Sequence, residues 1–126
     1  MKYLFIESIE PANFRAGLLS SQSIRTRFVH KRSHSILSEV MMVLRRHSIQ
    51  GICVVSGPGS FTAVRTGVLI ANMLSRLLHV PLYSVDASQA FDLNVMYTQL
   101  IRGMLPVSMY VAPVYSSEPN ITLKKA

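Results

Sequence analysis

Apolar positions along the chain change their period twice, and the changes divide it into elements. Tyr3-Leu4-Phe5-Ile6 is an unbroken apolar run that predicts a short buried strand ending at Glu7. Pro11 and Asn13 mark a turn. Phe14, Ala16 and Leu18 then alternate with Arg15 and Gly17, the period-two pattern of a half-buried strand. Ser20-Ser21-Gln22 reads as a hairpin turn, and Ile24 to Phe28 alternates again with Arg25 and Arg27 outward. The first third is therefore an antiparallel meander.

From Ser33 or Ser35 the period becomes helical, and Ile36, Leu37, Val40, Met41 and Leu44 carry it to about His47. Arg45, Arg46 and His47 fall in the last turn, where positive charge suits the helix dipole. Ile52 to Val55 is a bare β run, as in a strand buried on both faces. It stops at Gly57-Pro58-Gly59, and Ser60 is positioned to cap a helix reaching about His79. Pro81 opens a second buried strand, Leu82 to Val85, ended by Asp86. A third helix is predicted from Ser88 to about Arg102, stopped by Gly103 and Pro106. An extended run, Val107 to Tyr115, precedes a polar tail over 116–126. The order β β β α β α β α β predicts an α/β fold: a mixed sheet, three antiparallel strands and then parallel ones, with about three helices on its faces.

The 126 residues suit one domain. Hydrophobic residues make up 49% and charged ones 15%, which excludes a disordered chain. The net charge is +7, so the chain is apolar for its size and yet basic. Such a domain is expected to hide part of its surface on a partner. Cys53 is the single cysteine, inside an apolar run, and reads as a small buried hydrophobe in a reducing compartment. His30, His34, His47 and His79 form no metal-ligand cluster, so neither a metal nor a cofactor is expected. The N-terminal apolar run is too short for a signal peptide, and Arg65, Asn72, Ser75 and Arg76 interrupt the longest helical stretch. No membrane crossing follows, and the cytoplasm is the expected location.

Gly57-Pro58-Gly59-Ser60-Phe61-Thr62 joins a buried strand to a helix N-terminus, where free N–H groups can hold an anion. It lacks the Lys of a Walker loop, Thr62 stands where a dinucleotide fingerprint needs its third Gly, and Pro58 removes one donor. The longer string through Arg65 and Gly67 is more specific. It resembles the signature of the TsaB (YeaZ) family, G-P-G-S-F-T-G-L-R-I-G after a buried strand; Gly57 to Thr62, Arg65 and Gly67 match, while Ala63, Val64 and Thr66 depart. His34-Ser35-Ile36-Leu37 resembles the family's H-S-x-x-L helix start. Val80-Pro81-Leu82 to Ser88 is similar to its next strand and turn, and Ala112-Pro113-Val114-Tyr115 to its P-x-Y stretch. Two departures stand out. Glu7-Ser8-Ile9 replaces the family's D-T-S, and almost nothing remains between Arg102 and Ala112, where a second lobe would fall. A short, one-lobed, divergent relative is therefore expected, with 1–126 as a single domain.

The resemblance implies a ribonuclease-H-like lobe of the actin/Hsp70 (ASKHA) type. It also implies a role without catalysis: TsaB-type proteins, once labelled glycoproteases, are scaffolds and activators. They pair with the TsaD paralogue, which transfers a threonylcarbamoyl group to a tRNA adenosine, and the ATPase TsaE joins through it. Their first two helices make the TsaD contact, or pair two copies in a homodimer. The residues here suit such a contact, because the helix from Ser60 is apolar round most of its circumference and one stripe suffices to cover a sheet. Leu37, Met41, Leu44, Arg65, Leu69 and Met73 are the interface candidates.

Other readings are a homodimeric degenerate paralogue that activates nothing, and a basic nucleic-acid module. For the latter, Arg15, Arg25, Arg27, Lys31 and Arg32 form a strip without an acid that could neutralise phosphates, close to tRNA if not on it. A hydrolase would need Glu7 and Asp86 to meet as paired carboxylates on magnesium.

Overall fold

The computed structural model describes residues 1–10, 13–21, 24–29 and 36–114. Six strands form one sheet: β1 (Lys2–Glu10), β2 (Asn13–Ser20), β3 (Ile24–Val29), β4 (Gly51–Gly57), β5 (Leu82–Asp86) and β6 (Val107–Ser108). Their order across the sheet is β3-β2-β1-β4-β5-β6. β1 to β3 form the antiparallel meander, with Phe5 opposite Gly17. β1, β4 and β5 run parallel, with Phe5 beside Cys53 and Cys53 beside Tyr83. β6 closes the edge antiparallel to β5. The helices are α1 (Ile36–Arg46), α2 (Phe61–Leu78) and α3 (Leu93–Ile101).

Strand alternation divides the core in two. Leu4, Ile6, Ile52, Val54 and Leu82 face α1 and α2, where Val40, Val64, Val68, Ala71 and Leu74 cover them. Tyr3, Phe5, Cys53, Val55 and Val85 face the other way, under Met96, Tyr97 and Leu100 of α3. β4 is buried along its whole length, so its bare apolar run reflects cover on both faces. α2 lies close on β1, since a Cβ on Gly67 would overlap the Ser8 hydroxyl. That hydroxyl donates to the Ala63 carbonyl at 2.7 Å, which ties the strand end to the helix.

Four boundaries differ from the sequence expectation. β1 continues to Glu10 because Glu10 pairs with Asn13 across an irregularity that begins at Glu7. The third helix begins at Leu93, five residues late, because two carboxylates each nucleate their own turn. Asp86 accepts from the Ser88 hydroxyl at 2.6 Å and the Gln89 N–H at 2.9 Å, leading into a 3₁₀ turn over Gln89–Phe91. Asp92 then caps α3, accepting from the N–H groups of Asn94 and Val95. The run from Val107 is strand only as far as Ser108, and beyond it side-chain amides replace ladder bonds. Ser60 does hold the N-cap position of α2, but its hydroxyl makes no cap bond.

Candidate functional site

The signature loop leaves β4 at Gly57, whose φ of +128° is open to glycine but strained for other residues. The Gly57–Pro58 peptide is cis. The Gly57 carbonyl accepts from the Ala87 N–H at 2.9 Å, and the Ser56 carbonyl from the Val114 N–H at 2.7 Å. A Cβ on Gly57 would overlap the Val114 carbonyl, so the chain's own strap over residues 111–114 occupies the space beside the loop. Asn72 of α2 holds that strap: its amide donates to the Val111 carbonyl at 2.9 Å and accepts from the Val111 N–H at 2.9 Å. One side chain thus copies a strand's pair of bonds. Ser60 Oγ is buried with no hydrogen-bond partner, and the side chains of Phe61 and Thr62 lie outside the described residues. Gly67 is buried, and Arg65 stands exposed on α2.

The interface candidates sort cleanly. Leu37 and Met41 on α1 are 47% and 39% exposed, and Leu69 and Met73 on α2 are 60% and 52% exposed. Met42, Leu77 and Leu78 extend this apolar surface. Leu44 departs from the others, being half-buried against the core under α1. The four-residue spacing of Leu37, Met41 and Arg45, and of Arg65, Leu69 and Met73, places each set on one outer stripe. Because α1 and α2 cover the same sheet face, the stripes lie side by side. An open groove of about 550 Å³ flanks α2, lined by Arg65, Thr66, Leu69, Asn72, Tyr110 and Pro113 among others.

The basic strip is only partly described. Arg15 does not stand free on an outer face. It is ion-paired to Glu7 at 3.0 Å, donates to the Ala90 carbonyl at 3.2 Å, and lies 5.1 Å over the Phe5 ring. Lys31, Arg32 and the side chains of Arg25 and Arg27 lie outside the described residues, as do His30 and His34. Glu7 and Asp86 do not form a carboxylate pair: Glu7 holds Arg15 and Asp86 caps its own turn. Those hydrogen bonds, from Ser88 first and then Gln89, hold the Asp86 carboxyl below its ordinary range. Among the described residues, no group of three His, Cys, Asp or Glu could hold a metal. Cys53 is fully buried, and burial pushes its thiol up to about 12. No described helix is long and apolar enough to cross a membrane.

Sequence reasoning missed Asn72 as a structural clamp. The available signal was its place as a lone amide among apolar residues of α2.

The sheet order, with α1 and α2 on one face and α3 on the other, defines a ribonuclease-H-like lobe of the ASKHA type. Solved structures agree. YeaZ from Pseudomonas aeruginosa superposes with a TM-score of 0.56 at 18% identity, covering 68% of this chain and 45% of that one. A second structure, an uncharacterized protein with similarity to peptidase YeaZ from Pseudomonas aeruginosa, gives 0.56 at 17% identity over 68% and 43%. The chain thus spans less than half the length of these structures. No curated protein matches it in sequence. The family model of TsaD, tRNA N6-adenosine threonylcarbamoyltransferase, matches residues 33–112, and the chain belongs to that family.

Proposed function

We propose that the chain is a TsaB-type, non-catalytic scaffold and activator subunit in the threonylcarbamoylation of tRNA adenosine. It pairs through α1 and α2 with the TsaD paralogue that carries the chemistry, and TsaE joins through that paralogue. The observation that carries this reading is the double apolar stripe on the outer face of the two helices, Leu37 and Met41 beside Leu69 and Met73. Covering each such side chain is worth about 1.5–3 kcal/mol, enough for a few of them to drive association. The non-catalytic half of the reading is supported by Glu7 and Asp86, each engaged in a local structural bond, and by Val114 lying against the signature loop.

Co-expression with the TsaD paralogue of the same organism tests the reading. A stable complex is expected, lost in Met41→Asp and Leu69→Asp variants whose thermal melts match the wild type. A wild-type chain that remains a monomer beside the paralogue and leaves its transfer rate unchanged defeats it.

A further inference from the structure

The α1–α2 face carries a second pattern besides its apolar stripes, and it rests on the pairing read above. The two helices hold four arginines, all exposed: Arg45, Arg46, Arg65 and Arg76. Their one acid, Glu39, is buried beneath α1. The topology also gathers charge. α1 runs into β4 and α2 into β5, and those strands are parallel, so both helix C-termini lie at the same end of the sheet. Arg45, Arg46 and Arg76 sit in those last turns, and Lys2, at the start of parallel β1, belongs to the same end. Its ammonium lies 3.4 Å from His47.

We infer that this face selects a different polypeptide over a second copy of itself. The partner would offer an apolar helical surface with carboxylates set against the end that carries Arg45, Arg46 and Arg76. Two copies laid parallel would bring arginine to arginine. Laid antiparallel, the arginines would meet helix N-termini, which are themselves positive. In neither arrangement do α1 and α2 present an exposed acid to meet them, and like charges across an interface oppose the wrong partner. A nucleic acid would answer the arginines but leave Leu69 and Met73 uncovered, so a protein partner fits the whole face.

The test uses the full chain, the TsaD paralogue and tRNA, each followed at about 50 mM and about 500 mM salt. Sedimentation should show a monomer alone at both salts and a complex with the paralogue. That complex should weaken with salt. A triple Arg45→Glu, Arg46→Glu, Arg76→Glu variant should bind the paralogue about tenfold or more weakly at low salt, while the triple Lys variant keeps its affinity. A wild-type dimer abolished by Leu69→Asp overturns the inference. So does a paralogue complex indifferent to both salt and the glutamate triple, and so does a triple that loses only tRNA binding. In those outcomes a paralogue complex that still forms leaves the proposed function standing. Absence of any paralogue complex overturns both readings. If the glutamate triple does not fold, the salt dependence of the wild-type complex decides alone.

Discussion

The two faces of the sheet are built by different means. On the α3 side, polar bonds fix the ends: Asp92 caps the helix, Asp86 holds the turn before it, and the Tyr97 hydroxyl donates to the Met1 carbonyl at 3.1 Å. Tyr3 adds edge-on contacts to Tyr83 and Tyr97, with centroids at 6.0 and 6.2 Å. On the other side α2 begins without a cap bond and is positioned by close packing, Gly67 on Ser8, and by the amide clamp from Asn72. The outer surfaces differ as well. α3 is nine residues long and exposes Val95 and Ile101, while α1 and α2 set two longer apolar stripes in parallel. Caps settle a short helix by itself; a helix held mainly by its packed face can leave its outer face for a partner.

Gly67→Val should show the largest effect on that contrast. The added side chain must displace buried Ser8, so a loss of about 3 kcal/mol or more is expected in denaturant titration. A loss under about 1 kcal/mol would show that close approach does not hold α2. Asn72→Ala comes next, because it strips both bonds from Val111. About 1–3 kcal/mol should go, with faster hydrogen exchange at the Val111 amide and no change at α3. Exchange unchanged at Val111 would place the strap's support elsewhere. Asp92→Ala should cost about 1 kcal/mol, whereas Ser60→Ala should stay within about 0.5 kcal/mol, since the Ser60 hydroxyl has no partner to lose. Equal losses at the two caps would erase the contrast.

The smallest effect concerns acid. The Asp86 carboxyl is held below its ordinary range in the folded chain by Ser88 and Gln89. Its contribution is therefore complete above the unfolded value and fades as pH falls through the lower folded value. Thermal melts below about pH 4 should lose a component that Asp86→Asn lacks. Parallel pH curves for the two chains would dismiss it.

Much of the architecture was legible in the sequence, because each signal had one physical reading. Alternation over Phe14 to Leu18 requires a half-buried strand, and the bare run Ile52 to Val55 requires cover on both faces. The stripe Leu69–Met73 was legible as surplus, more apolar surface than one sheet face can take. What escaped depends on where a polar side chain finds its partner. Ser60 and Asp92 both look like caps, yet only Asp92 reaches the N–H groups ahead of it. Arg15 looked like one of a strip, but burial beside Phe5 and Glu7 made it an internal ion pair. Asn72 meets Val111 thirty-nine residues along the chain, a distance no local pattern reports.

The buried Cys53 turns the molecule into its own clock. Its sulfur sits in the middle of β4, 3.9 Å from the Met96 sulfur, and with its thiol pushed up to about 12 almost none is thiolate at neutral pH. An alkylating reagent must then wait for the centre of the sheet to open. With one thiol per chain, each opening that is caught leaves one mass increment, so a labelling time course counts whole-sheet excursions molecule by molecule.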